Sequence, residues 1–194
     1  MLQRSCERCD ASDRREIASP GRGRGGVAQQ ARYPRPVDRD EIVRVLRAFE
    51  AAKLEYVLIG ATAMGFHGVI RATEDVDLII RATPDNVERL RQALRSAYDG
   101  DHNVEDIRAE DLLGDYPAIR YYPPTGDLYF DVLTRLGEVA SFENVEAETK
   151  EIEGVRARVA TPAALYRLKK GTLRPLDHED AEALRRRFNL KDDA

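Results

Sequence analysis

The chain has 194 residues, enough for one well-cored domain with a short accessory piece and too few for two large ones. Apolar residues make up 42%, and no apolar run reaches the roughly 18–20 residues of a membrane span, which excludes a helical membrane protein and predicts a soluble one. A formal net charge of −4 argues against a surface coated in positive charge for general nucleic-acid binding, so any polyanionic partner must meet a local patch.

Residues 1–36 combine Gly-Arg-Gly-Arg-Gly-Gly, Gln-Gln and Pro-Arg-Pro with few large apolar side chains, and are expected to form a disordered leader. Met1 to Cys6 lack the apolar core of a secretory signal, which makes the cytoplasm the expected compartment. Cys6 and Cys9 have the spacing of half a zinc site or a redox pair, but a second pair is missing, so they read as two thiols in a mobile tail.

Asp38 is a candidate N-cap, and Ile42, Val45, Leu46 and Phe49 recur at helical spacing, predicting a helix to about Lys53. Leu54 to Gly60 is a β-rich run ending at glycine, and Ala61 to His67 reads as a short helix closed by Gly68. Val76 to Ile80 is the next strand, carrying Asp75 and Asp77, and Thr83-Pro84 opens a helix with Val87, Leu90, Leu94 and Ala97 on one face. The order to this point is α-β-α-β-α. Tyr98 to Asp115 is polar and acidic, with a short helix expected near Val104 to Leu113. Tyr116 to Tyr122 and Leu128 to Thr134 read as a hairpin across Pro-Pro-Thr-Gly-Asp, and Asn144 to Ala160 as a second one about Glu153-Gly154. After Thr161-Pro162, helices are expected over Ala163 to Lys170 and Asp177 to Phe188. The pattern is α+β, a mixed sheet flanked by helices with a small helical C-terminal part.

Residues two apart in a strand share a face, so Asp75 and Asp77 project together while Val76 and Leu78 enter the core. Two adjacent carboxylates repel, and a divalent cation relieves that; oxygen-only ligands select a hard ion, Mg²⁺ or Mn²⁺. Asp131, inside the apolar run Leu-Tyr-Phe-Asp-Val-Leu, is a charge that needs a strong reason to be there, and supplies a third metal-ligating acid. Three such acids suit a two-metal phosphoryl transfer, with Asp131 nearest the nucleophile. Gly60 ends a strand just before a helix, which would aim free backbone N–H groups at an anion and make a phosphate seat.

Gly60-Ala61 followed by Asp75-Val76-Asp77 and a later Asp131 resembles the nucleotidyltransferase superfamily pattern. More narrowly, Val57 to Leu78 and the downstream Leu-Tyr-Arg-Leu-Lys-Lys-Gly-Thr-Leu-Arg-Pro-Leu-Asp-His-Glu-Asp are similar to the AbiEii/MenT family of toxin–antitoxin nucleotidyltransferases, so the resemblance spans residues 54 to 184. It implies a minimal nucleotidyltransferase core over 37–160 and a helical portion over 161–194 that completes the active site. It also implies Mg²⁺-dependent transfer of nucleotides from a nucleoside triphosphate (NTP) to the tRNA acceptor end, and a cognate antitoxin as partner. Ala61 departs from the pattern, standing where serine or a second glycine is common, so Thr62 or backbone N–H groups would have to assist the phosphates.

Between Val155 and Arg174 there are six cations (Arg156, Arg158, Arg167, Lys169, Lys170, Arg174) and no acid. Lys169 or Lys170 near Thr172 and Arg174 could neutralise a triphosphate, and the family pattern favours Lys169 as the catalytic one. Asp177 and Asp180, three apart on a helix, face together; one could orient that cation while the other contacts nucleotide. Arg71 has two readings, a phosphate ligand or a partner of Glu74; His67 reads as a helix-end residue; Arg185 to Arg187 read as a solvated helix face. Thr73 lies on the face of Asp75 and Asp77, where phosphorylation would set up to about two negative charges beside the carboxylates. Two other functions use the same core: a small-molecule or protein nucleotidyltransferase of the antibiotic-adenylating type, and a catalytically silent binding module.

Overall fold

A computed structural model describes residues 15–18, 39–115 and 117–191. Arg15–Ala18 (β1) lies within the expected disordered leader and corrects that expectation locally, because these four residues form a parallel edge strand. Cys6, Cys9 and the Asp38 cap lie outside the described residues.

The first helix, Arg39–Ala51 (α1), buries Ile42, Val45, Leu46 and Phe49 on the predicted face. Tyr56–Ile59 (β2) is buried along its whole length and leads straight into Gly60–Phe66 (α2). Asp75–Ile80 (β3) alternates at its start, with Val76 and Leu78 buried and Asp75 and Asp77 half-buried. Pro84–Ala97 (α3) starts where Thr83 accepts a hydrogen bond from the Asn86 N–H, so an otherwise orphan helix-terminal donor is satisfied.

The acidic stretch that follows is not one helix near Val104 to Leu113 but a 3-10 turn at His102–Asp106 and a short helix, Ala109–Leu113 (α4). The Asp101 side chain accepts from the Asn103 N–H and opens the turn, and extended backbone at Ile107 separates the pieces, which lets Val104, Ile107 and Leu112 all bury. Ala118–Tyr122 (β4) and Tyr129–Leu133 (β5) form the predicted hairpin. A small ribbon, Arg135–Leu136 (β6) with Ala140–Ser141 (β7), was not expected. Ala147–Ile152 (β8) and Val155–Ala160 (β9) pair about Glu153-Gly154, whose φ angles of 49° and 75° suit the right-handed twist of a two-residue hairpin. Pro162–Lys170 (α5) and Pro175–Phe188 (α6) complete the chain, the latter starting ahead of Asp177 because Pro175 takes the first helical turn.

The main sheet runs β1-β4-β5-β3-β2-β9-β8 and is mixed: β3 is parallel to β5 and antiparallel to β2, and β2 is parallel to β9. This is the expected α+β class. β3 is the central strand, so both of its neighbours can bring side chains to its acidic end. α2 packs on β2 and β3, and α5 contacts α2 while pairing with α6, which places the C-terminal helices beside α2. Among the described residues no helix is long and apolar enough to cross a membrane.

Candidate active site

The register of β3 against β5 puts Asp77 directly opposite Asp131, and Asp75 opposite Tyr129. Alternation then turns Asp75, Asp77, Tyr129 and Asp131 to one face of the sheet. Oxygens of the three carboxylates all lie within 4.8 Å of one another, and Asp131 is only 2% exposed. At that separation two like charges repel by about 3–4 kcal/mol even at an effective dielectric of ~20, so the cluster needs nearby positive charge. The donor set is oxygen only, which fits a hard divalent ion.

Gly60 adopts φ +64° at the β2–α2 junction, opposite which β2 pairs Ile59 with Asp77. A side chain at Gly60 would run into the Asp77 carboxyl, lying 2.7 Å from its carbon and nearer still to Oδ2. Only glycine gives both the left-handed turn and this close approach of main chain to carboxylate. Ala61 is buried behind the turn. The Thr62 hydroxyl donates to the Asp75 main-chain oxygen at 3.0 Å, tying α2 to the start of β3. Thr73 is buried, and its hydroxyl donates to Asp75 Oδ1.

One residue at the site escaped the sequence reading. Arg120 on β4 sits opposite Asp131 in register, and its Nε and terminal nitrogen donate to Oδ1 and Oδ2 of Asp131, both at 2.8 Å. Its guanidinium also lies over the Tyr129 ring, 4.8 Å from the centroid. The hydrogen bonds to Asp131 push the arginine's pKa above its already high value, and burial opposes this. Burial, and then the charge of Asp75, push the Tyr129 hydroxyl up to about 12, so it stays protonated at neutral pH.

A second cluster gathers on the C-terminal helices. Lys169, 7% exposed, bonds Asp177 at 2.7 Å and Asp180 at 2.8 Å, so the two acids do face together. The Thr172 hydroxyl donates to Asp177 at 3.0 Å and accepts from the Arg174 N–H. Burial works to raise the Asp177 carboxyl, but the Lys169 and Thr172 hydrogen bonds and the charges of Lys169 and Arg174 outweigh it and hold the pKa below the ordinary value. Arg71 turns to Asp180 at 3.2 Å rather than to Glu74, which links the loop before β3 to α6. Lys169, Arg71, Asp177, Asp180 and Thr172 are thus assembled, and Arg71 precedes Thr73 and Asp75 by only two and four residues.

Other candidates are drawn elsewhere. Lys170 is exposed and rests over Tyr166. Arg156 pairs with Glu50, and Arg158 lies over Phe142, at the end of β9 away from α5. The His67 ring nitrogen Nε2 is 2.8 Å from the Ala160 carbonyl. Arg185 and Arg186 pair with Glu182, while Arg187 donates to the His67 carbonyl and so has a structural contact that a solvated face did not predict.

Residues 44–131 match a family model, and the match contains Gly60, the three acids and Arg120. The family is the nucleotidyl transferase AbiEii toxin, type IV toxin–antitoxin system. No curated protein matches the chain. Among solved structures, the lincosamide antibiotic adenylyltransferase LnuA bound to lincomycin is 18% identical with a TM-score of 0.53, covering 78% of this chain and 98% of that one. An antigenic nucleotidyltransferase-like protein from Paracoccidioides brasiliensis is 17% identical with a TM-score of 0.48, covering 77% and 78%. The AbiEii-like segment therefore sits in a nucleotidyltransferase fold, with its acidic cluster on β3, which pairs with the strand that ends at Gly60, and on β5 beyond it.

Proposed function

We propose that this chain is a divalent-metal-dependent nucleotidyltransferase that moves nucleotides from an NTP to the 3′ acceptor end of tRNA in the cytoplasm, as the toxin of a pair restrained by a cognate antitoxin. The convergence of Asp75, Asp77 and Asp131 beside the Gly60 turn carries the chemistry. The tRNA acceptor and the antitoxin rest on the likeness to the AbiEii family.

Asp75, Asp77 and Asp131 would hold Mg²⁺ or Mn²⁺, which supplies charge neutralisation at the triphosphate and lowers the pKa of an attacking hydroxyl. Gly60, Ala61 and Thr62 bring main chain against the Asp77 and Asp75 end of the cluster, where N–H groups can meet phosphate oxygens. The Thr62 hydroxyl proton is directed at Asp75, so the main chain is the better phosphate donor there. Lys169 and Arg71, both held by Asp180, would stabilise charge on the transferring phosphoryl group, with Thr172, Asp177 and Arg174 toward the nucleotide. In this arrangement residues 161–194 complete a site whose acids come from the 37–160 core.

Thr73 would be a control point. Its hydroxyl already touches Asp75, so a phosphate there sets negative charge against the metal ligands.

The test supplies each labelled NTP with Mg²⁺ and total RNA, with lincosamides and other small acceptors in parallel, for the wild type, Asp75→Ala and Asp77→Ala. Label in tRNA that both variants abolish is expected. Transfer to a small molecule instead would replace the acceptor, and transfer undiminished in both variants would refute the site.

A further inference from the structure

Both oxygens of Asp131 are already engaged. A carboxylate has about four lone-pair positions, and a two-pronged arginine fork takes one from each oxygen, along the edge that faces away from the carboxyl carbon. That edge is the one a chelating cation would use. Arg120 reaches it with two 2.8 Å hydrogen bonds, comes from a strand in register with Asp131, and is backed by the Tyr129 ring, whose own strand position faces Asp75. Asp131 is 2% exposed and the Arg120 side chain 22%, so water competes little for the pair.

We propose that Arg120 is a positioning residue that sets the ion selectivity of the acidic site, by occupying the chelating edge of Asp131 and leaving it able to bind a cation only through one oxygen. The inference rests on the metal-site reading above. Mg²⁺ and Mn²⁺ favour octahedral sites, and Mg²⁺ in particular demands near-ideal ones with single-oxygen donors, whereas Ca²⁺ readily accepts a two-oxygen carboxylate and higher coordination. With the fork in place Asp131 presents at most one lone pair per oxygen, at a fixed angle, which disfavours Ca²⁺. Without it the carboxylate can rotate and chelate, and the site also gains one unit of net negative charge. A purely structural arginine would leave the ratio of Mn²⁺ to Ca²⁺ affinity unchanged.

The experiment measures Mn²⁺ binding to the full chain by paramagnetic resonance and Ca²⁺ binding by competition, in the wild type, Arg120→Gln and Arg120→Lys. Arg120→Lys keeps the charge and loses the fork, and it remains informative if the glutamine variant does not fold. For both variants Ca²⁺ is expected to gain at least about tenfold relative to Mn²⁺, about 1.4 kcal/mol of lost discrimination. In nucleotidyl transfer, kcat should fall with KM for the NTP changing little, since the fork acts through Asp131 and not on the nucleotide. Unchanged Mn²⁺ to Ca²⁺ ratios in folded variants overturn the role of Arg120 and leave the metal site standing. A wild type that binds neither ion overturns both, and an Arg120→Lys protein indistinguishable from wild type shows that charge alone matters and overturns the fork.

Discussion

Replacing Gly60 with alanine tests the site at the position where backbone conformation and chemistry meet. The left-handed φ of +64° costs an L-residue about 1–2 kcal/mol. A carbon–carbon contact becomes ordinary near 3.4 Å, and the new methyl would lie 2.7 Å from the Asp77 carboxyl carbon, so that carboxyl must retreat by at least ~0.7 Å or the turn must open. Strand β3 cannot follow the carboxyl, because it is hydrogen-bonded on both sides and buried at Val76 and Leu78. Displacing a reacting group by about 1 Å costs on the order of 10²-fold in rate. Gly60→Ala should therefore melt about 2–8 °C below wild type, bind Mn²⁺ more weakly, and lose roughly 10²-fold in label transfer. Thermal melting, Mn²⁺ titration and a gel assay for tRNA labelling give the three readouts. A folded Gly60→Ala protein with transfer within about threefold of wild type would refute the reasoning that the main chain must touch Asp77.

Removing Lys169 leaves Asp177 and Asp180 facing each other with one cation fewer, so Lys169→Met should destabilise the chain by about 3 kcal/mol in a denaturant titration as well as abolish transfer. Asp177 has its folded pKa below the unfolded value, so the pair's contribution is fully present above the ordinary carboxylate pKa of about 4 and is lost as pH falls through the lower folded value. Acid unfolding followed by circular dichroism should thus shift to higher pH, and flatten, in Asp177→Asn. Thr73→Glu should lose transfer by at least about tenfold through repulsion at Asp75, while Thr73→Val, which removes only one hydrogen bond, should keep most of it. Arg186 is mostly exposed and pairs with Glu182 one turn away on the same helix, so Arg186→Ala should change stability by less than about 0.5 kcal/mol.

What could be read in the sequence was whatever a residue declares through its near neighbours. Asp75 and Asp77 announced a shared face because strand alternation is local, and Asp131 stood out because an acid inside Leu-Tyr-Phe-Asp-Val-Leu contradicts its surroundings. The Glu153-Gly154 turn and the Thr83 cap are local in the same sense. Arg120 declares nothing locally. In Ala-Ile-Arg-Tyr-Tyr an arginine between apolar residues looks like the solvent face of a half-buried strand, and indeed its neighbours alternate with it in burial. Its importance depends on register, since a slip of one residue between β4 and β5 would turn it away from Asp131 altogether. Arg15–Ala18 escapes for a related reason: four residues are too short to show a strand period, and what makes them a strand is their parallel pairing with β4, about 100 residues away. Arg71 pairs with Asp180, 109 residues away in sequence, rather than with Glu74, because α6 pairs with α5 and α5 packs on α2, next to the loop that carries Arg71. The acids that can bind a metal are therefore visible from composition along single strands. The cations that hold them in place become visible only when strand order and register are known, and the selectivity assigned to Arg120 belongs to that second kind of information.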